Sequence, residues 1–411
     1  MTEHYDALET RSQDEREASQ FEGLRTQLRD TTAPALLERL AGANLDALTD
    51  RMALAALPVL RKADLVAMQQ AAPPFGGFAA RPPEDYDHLF QSPGPIYEPG
   101  MSQVPDWWRF ARALHAAGIR RGDRVLNCFG YHLTPAGIML ASGAAALGTA
   151  VIPGGVGNTE AQAAAAADIG ASAYVGTPDF LKTLLEKAET LGRPLSITKA
   201  WVSGGALFPS LRAGYLDRGI TCLQGYATAD LGNIAYETLA DGALCDGMVV
   251  DEGVILEILR PGTADPVASG EVGEVVVTLL NADYPLLRFA TGDLSAVIDG
   301  TSPCGRTGPR IRGWMGRADQ TTKIKGMFVR PEQIAEITRR HPEIRKARLT
   351  VTRVHDQDVM DLAIETADHG IATVVGESLR DVLKLRGEVT PVEPGSLPND
   401  GKVIDDTRTY D

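Results

Sequence analysis

Two short segments around residue 300 carry residue types that could do chemistry. The first, Arg288-Phe289-Ala290-Thr291-Gly292-Asp293-Leu294, puts a short carboxylate on a tight Thr-Gly turn. The second, Gly316-Arg317-Ala318-Asp319-Gln320, runs on through Lys323-Ile324-Lys325-Gly326 to Pro331. An aspartate is a two-oxygen acceptor, an arginine a planar fork of donors, and a lysine a mobile point charge. Such a set suits a ligand that carries both hydroxyls and anionic groups. Each segment alone is a common pattern. In this order, just ahead of a short C-terminal stretch, they form a compound signal.

The chain that must position these groups has 411 residues, enough for a sizeable core and two or three domains. Its 44% hydrophobic and 23% charged residues are ordinary for a globular protein. The formal charge of −14 argues against general nucleic-acid binding but leaves room for a local basic groove. Four scattered cysteines, Cys128, Cys222, Cys245 and Cys304, form no CxxC pair, which points to a reducing cytoplasm rather than a disulfide framework. The acidic start, Met1-Thr2-Glu3-His4-Tyr5-Asp6, has no apolar signal region. The most apolar stretch, Ile138 to Val156, is alanine-rich and broken by Gly143, Gly148 and Pro153, so no membrane span is expected.

Several classes of element follow one another. Leucines at helical spacing (Leu24, Leu28, Leu36, Leu37, Leu40) predict helices up to about residue 70. Loop-like tracts follow at Pro73–Pro83 and Ser92–Pro105. From Trp107, apolar runs at 124–129, 150–152, 173–175 and 199–202 alternate with helical patterns, which predicts parallel βαβ units. Strand-like runs joined by Gly, Pro and Asp turns make 248–315 a β-rich part. After Gly326, the order helix, strand, strand, helix, strand predicts a small α+β cap. The fold class is therefore α/β: a large N-terminal domain over 1–317 with mixed and parallel sheets, and a C-terminal cap over 318–411.

At Gly148-Thr149-Ala150-Val151-Ile152-Pro153-Gly154-Gly155-Val156-Gly157-Asn158-Thr159-Glu160-Ala161-Gln162 the chain resembles the phenylacetate-CoA ligase branch of the adenylate-forming enzymes. Tyr5-Asp6, Glu9-Thr10 and Gly176-Thr177-Pro178-Asp179-Phe180-Leu181 are similar to further family segments, and the two segments near residue 300 resemble its nucleotide-binding and hinge motifs. The resemblance covers nearly the whole chain.

It implies that a carboxylate attacks the α-phosphate of ATP, and that a thiol, usually CoA, then displaces AMP. The first step brings anions together, so cations must offset the charge that builds in the transition state. By resemblance, Asp293 accepts from the ribose hydroxyls and Arg317 reaches ribose or phosphate. Asp319 is the hinge of a mobile cap. Lys325 and Gly326 face the nucleotide domain after the cap swings, the glycine allowing close approach to pantetheine. Lys402, in Asn399-Asp400-Gly401-Lys402-Val403-Ile404, is the adenylation lysine. Ser203-Gly204-Gly205-Ala206 closes around adenine, and Tyr226 in Gly225-Tyr226-Ala227-Thr228-Ala229-Asp230 stacks on it. Asp230 takes the place of the magnesium-binding glutamate. Tyr131, Gly155 and Gly225 adjoin the acyl group, and His132 is the candidate partner of its carboxylate.

Three departures qualify the match. Ala229 replaces a hydroxyl residue, leaving Thr228 as the candidate phosphate donor. Asp230 is a methylene shorter than Glu. Most important, the family's Ser/Thr/Gly-rich loop ending in Gly-Lys-Pro is replaced by Phe90-Gln91-Ser92-Pro93-Gly94-Pro95-Ile96-Tyr97-Glu98-Pro99, which has no lysine. Its prolines cannot donate backbone N–H groups. Pyrophosphate must then be held by other groups, or ATP is bound poorly. Cys245 and Cys304 lack paired ligands, so no structural zinc is expected. The sequence thus predicts an AMP-forming ligase making a CoA thioester of an aromatic acid from Mg-ATP and CoA. Transfer to a carrier protein or an amine, and a non-catalytic adenylate-binding relative, are the alternatives. A homodimer is compatible with the resemblance.

Overall fold

The computed structural model describes residues 4–205, 207–318, 320, 322–324, 327–354, 357–398, 400 and 402–408. The chain divides into two compact units: Met1–Leu256, Val277–Phe289 and Ile298–Gly313 form the first; Glu257–Val276, Ala290–Val297 and Trp314–Asp411 form the second.

The first unit is built on a nine-stranded sheet. Strands Thr221–Thr228, Lys199–Val202, Ala173–Gly176, Arg124–Asn127 and Ala150–Pro153 lie side by side in that order, all parallel. Parallel neighbours require crossover connections; Ala136–Ala146, Thr159–Ile169 and Pro178–Thr190, read from the sequence, supply three of them, and Pro209–Asp217, not read there, supplies the fourth. Strand Ala173–Gly176 is buried at every residue, which is why it reads as an unbroken apolar run. Strands Gly232–Tyr236, Met248–Val250 and Arg310–Ile311 extend the sheet with antiparallel pairings.

The N-terminal helix Gln13–Asp30 begins at a capping box: Ser12 Oγ accepts from Glu15 N at 3.2 Å and Glu15 Oε2 accepts from Ser12 N at 2.9 Å. Its Phe21, Leu24 and Leu28 are buried with Leu36 and Leu54. The Tyr5–Thr10 segment is anchored by buried polar pairs. Glu9 Oε1 accepts from Tyr236 Oη at 2.9 Å and Arg306 Nε at 2.5 Å, while Asp6 pairs with Arg112 at 2.6 Å.

One tract differs from the sequence expectation. Residues 88–100, read as loop from Ser92 onward, form a β-hairpin of His88–Ser92 and Ile96–Gly100. The ladder has only two strands, so the missing N–H of Pro99 faces an open edge and leaves the strand intact.

In the second unit, strands Glu388–Val392, Gln357–Glu365, Lys346–Val354 and Ile404–Asp406 form a four-stranded sheet in that order. Helices Pro331–Arg340 and Ala372–Leu383 cover it, burying Ile334, Ile337, Val375 and Leu379 against Leu349, Val351, Leu362 and Ile364. Among the described residues no helix is long and apolar enough to cross a membrane.

Candidate active site

The parallel strands of the first unit end at a common edge, where loops after such strands usually form ligand clefts. A cavity of about 160 Å³ opens there. Phe110, Phe129, Met139, Leu140 and Trp201 give it apolar walls; Ser203, Gly204, Ala227 and Thr228 supply its polar and backbone side. Four of the residues singled out in the sequence thus meet around one space. The two loops are tied together, since Ser203 Oγ donates to Gly225 O at 2.8 Å. Gly225 is required by a close approach: a Cβ there would lie 2.2 Å from Trp201 Cζ2. Tyr226 is buried in the same strand, and Gln224 Nε2 donates to Gly205 O at 3.1 Å. Ala206 lies outside the described residues.

Tyr131 and Gly155 form a neighbouring group around Asn127. Asn127 Nδ2 donates to Tyr131 Oη at 2.9 Å, and Asn127 O accepts from Gly155 N at 2.9 Å. Burial pushes the Tyr131 phenol up to about 12, so it stays protonated. Asn158 takes the left-handed conformation (φ +50°) before helix Thr159–Ile169, and Gln162 Nε2 then reaches back to Gly155 O at 2.8 Å. The Gly-Asn-Thr-Glu turn therefore shapes the backbone of the Gly154–Gly155 loop. Neither Tyr131 nor His132 lines the cavity; His132 is exposed on a turn whose carbonyl accepts from Thr134 N at 2.7 Å. Trp108 is buried core.

Asp230 follows Ala229 at the rim of the cavity, and its side chain is fully buried. Asp230 Oδ2 accepts from Lys62 Nζ at 2.9 Å, and its Oδ1 has no hydrogen-bond partner among the described residues. The hairpin brings a second acid close by. Glu98 accepts from Ser92 Oγ, and its other oxygen is buried without a partner among the described residues. Burial pushes the Glu98 carboxyl up to about 8, with the Asp230 charge adding to the shift and Ser92 and Lys62 opposing it. Glu98 is therefore largely protonated at neutral pH. A Mg²⁺ that takes most of its ligands from phosphates needs only one or two protein carboxylates. The free Oδ1 of Asp230 fits that demand, while Glu98, being protonated, lies beside it as a neutral acid. Lys62 and Glu98 were missed in the sequence because nothing local marks them; a search for a lysine to replace the absent loop lysine would have been the one route to Lys62.

The second unit holds the other motif residues. Arg317 Nη1 and Trp314 Nε1 both donate to Asp293 Oδ1, at 3.0 and 3.1 Å. Backbone bonds Leu294 N to Gly316 O (2.9 Å) and Ala318 N to Gly292 O (2.7 Å) hold the two motifs side by side. Lys402 is exposed, and its Nζ donates to Asp405 Oδ1 at 2.7 Å. It lines a cavity with Arg260, Arg339, Arg345 and Lys346. Asp319, Lys325 and Gly326 lie outside the described residues, as do Asn399 and Gly401. All four cysteines are buried and free.

No protein-family model matches the chain. A phenylacetate-coenzyme A ligase of Pseudomonas putida is 31% identical over 349 residues, covering 80% of this chain and 77% of its own. The enzyme of that name from Escherichia coli K12 is 29% identical over 428 residues, covering 97% and 95%. Among solved structures, 2-hydroxyisobutyryl-CoA ligase in complex with 2-HIB-AMP aligns over 98% of this chain and 92% of its own, with a TM-score of 0.72 at 23% identity. That likeness gives the fold, an α/β architecture shared with that ligase. Taken with the relatives in sequence, it follows that this chain belongs to the phenylacetate-coenzyme A ligase family of acid–CoA ligases.

Proposed function

We propose that the protein activates an aromatic carboxylic acid as its acyl-adenylate and transfers the acyl group to CoA. The observation that carries this reading is the cavity edged by Ser203, Gly204, Ala227 and Thr228. Its walls of Phe110, Phe129 and Trp201 suit a flat apolar body, and its polar edge suits an adenylate. The names of the sequence relatives, all phenylacetate-coenzyme A ligases, support the choice of an aryl acid. A neighbouring fold bound to an acyl-AMP and CoA supports the two co-substrates.

In this reading Tyr226 stacks on adenine, Asp293 accepts from the ribose hydroxyls and Arg317 donates to ribose or phosphate. Lys402 leaves Asp405 to bridge the acid and the α-phosphate. The segment from residue 318 turns at Asp319 between the half-reactions, bringing Lys325 and Gly326 to the pantetheine path. Asp230, with Glu98 nearby, would hold a Mg²⁺ that arrives with ATP; the ion would supply charge neutralisation on the phosphates. His132 is the residue available from the 129–134 turn to meet the acid's carboxylate.

A second reading, a non-catalytic protein that binds AMP or an acyl-adenylate, draws on the hairpin at 88–100. It offers no lysine and three prolines where the family's phosphate loop stands. One experiment separates the two. Purified protein with Mg-ATP is assayed for pyrophosphate release over a panel of aryl and aliphatic acids, with and without CoA. Acid-dependent release is expected, with turnover requiring CoA. Binding of AMP with no release for any acid would establish the second reading instead.

A further inference from the structure

We propose that Lys62 is the residue that receives the phosphate chain of the nucleotide, replacing the lysine of the loop that residues 90–99 displace. The proposal rests on the adenylation reading and adds to it a residue that no motif contains.

The position of Lys62 is set by buried structure. It is the first residue of helix Lys62–Ala71, directly after a short strand whose Leu60 N donates to Arg288 O at 2.9 Å. Arg288 is itself fully buried, and its guanidinium donates to Ala55 O at 2.8 Å and to Leu57 O. The chain leading into Lys62 is thus clamped at two points, which fixes where the ammonium can reach.

What it reaches is an incomplete polar cluster. The ammonium sits 2.9 Å from Asp230 Oδ2, while Asp230 Oδ1 and Glu98 Oε2 are buried with no partner among the described residues. Ser92 joins this cluster to the cavity, since it lines the cavity and donates to Glu98. Buried polar atoms are nearly always paired in a finished interior, so two unpaired acid oxygens beside one cation mark a place where a ligand belongs. A lysine that served only to neutralise Asp230 could be closed off from solvent; Lys62 is 32% exposed while its partner is wholly buried. The lysine therefore presents an open face to an incoming anion.

The chemistry is an exchange of partners. Lys62 moves from Asp230 to a phosphate oxygen, and Asp230 is released to face the cation that accompanies the nucleotide. Protons and charges balance without any group changing its protonation state.

The test compares nucleotides that differ only in the phosphate chain. A non-hydrolysable ATP analogue with Mg²⁺, and AMP alone, are titrated calorimetrically into wild type, Lys62→Arg, Lys62→Met and the double variant Lys62→Met/Asp230→Asn. Pyrophosphate release is measured in parallel. Loss of one charge-assisted contact is expected to weaken the ATP analogue about tenfold in Lys62→Met, with AMP nearly unchanged and Lys62→Arg in between. The double variant leaves no unpaired buried charge, so it keeps its melting temperature yet still fails to prefer ATP over AMP. Equal loss for both nucleotides, or no loss for either, would overturn the role of Lys62. If wild type releases pyrophosphate and Lys62→Met matches it, this proposal alone fails. If the ATP preference depends on Lys62 but no acid supports pyrophosphate release, the adenylation reading fails and the phosphate site stands.

Discussion

Arg317 and Asp293 meet twice: their side chains pair at 3.0 Å, and their backbones form an isolated antiparallel bridge. The double contact ties the two motifs together across the 24 positions that separate these residues. One strand residue and one loop residue must be brought level before either can face a ligand. Trp314 adds a second donor at 3.1 Å to the same carboxylate oxygen. The indole is more than half exposed, so Asp293 is steered by groups that solvent, or a ligand, can reach.

Gly292 is the weak point of that arrangement. It has φ +76°, and a Cβ there would come within 2.8 Å of Arg317 Nη2. Gly292→Ala is expected to displace the guanidinium and to lower stability by about 1 kcal/mol through backbone strain. AMP affinity measured by calorimetry should fall about tenfold. Unaltered AMP binding would remove Arg317 from the nucleotide site.

Lys402 is exposed, and its salt bridge to Asp405 lies near the surface, a kind worth little to stability. Lys402→Ala should leave the melting temperature within a degree or two of wild type. Adenylate formation, followed by pyrophosphate release, should fall by about 100-fold or more, since a cation aimed at transition-state charge is lost. AMP binding should persist. An unchanged adenylation rate would show that another group does this work.

Glu98 makes a pH prediction. Its folded carboxyl titrates near 8 against an ordinary value near 4.5, so the native state holds a proton that the unfolded chain gives up. Stability from this group is fully present below about pH 4.5 and is lost as pH rises through 8. Asp106, pushed up to about 7 by burial and by Asp251, acts in the same direction. His115, pushed down to about 4 by burial and Arg120, acts in the opposite sense on the acid side. The comparison must therefore be between wild type and Glu98→Gln, which can still accept from Ser92. Melting curves from pH 5 to 9 should show a steeper loss in wild type, on the order of a few kcal/mol across the window. Parallel curves would show that Glu98 is ionised at neutral pH.

Gly225→Ala should be among the most damaging single-methyl additions in the first unit. The new Cβ would meet the Trp201 ring at 2.2 Å in a buried strand, where neither partner has room to shift. A loss of about 1–3 kcal/mol is expected from overpacking. Because Trp201 also lines the cavity, thermal shift by an added aryl acid should shrink as well. A variant as stable as wild type would mean that the ring relocates freely.

The sequence was most readable where one local rule was enough. The runs at 124–127, 173–176 and 199–202 are parallel strands buried by helices, and their unbroken apolar character says so. The two helices Pro331–Arg340 and Ala372–Leu383 were readable in the same way, because Ile334, Ile337, Val375 and Leu379 keep helical spacing on one face. The hairpin at 88–100 was hidden by its prolines, which are tolerated only because the ladder stops at two strands. Lys62 and Asp230 lie 168 positions apart, and no periodicity links a lysine opening one helix to an aspartate in the turn after a distant strand. The Trp314 contact to Asp293 is equally silent, since tryptophan after glycine suggests packing rather than a hydrogen bond.

Helix Lys62–Ala71 carries Lys62 in its first turn and Gln69 near its last. Gln69 grips Tyr97 from both sides: Nε2 donates to Tyr97 O at 2.8 Å, and Oε1 accepts from Tyr97 N at 2.8 Å. The helix is thus a strut about 10 Å long between the lysine and the hairpin. Grafting a glycine-rich phosphate loop into residues 92–96 would not restore the usual architecture by itself. The transplanted loop would stay pinned through Tyr97 until Gln69 was also replaced, so an engineer must exchange the hairpin and the far end of this helix together.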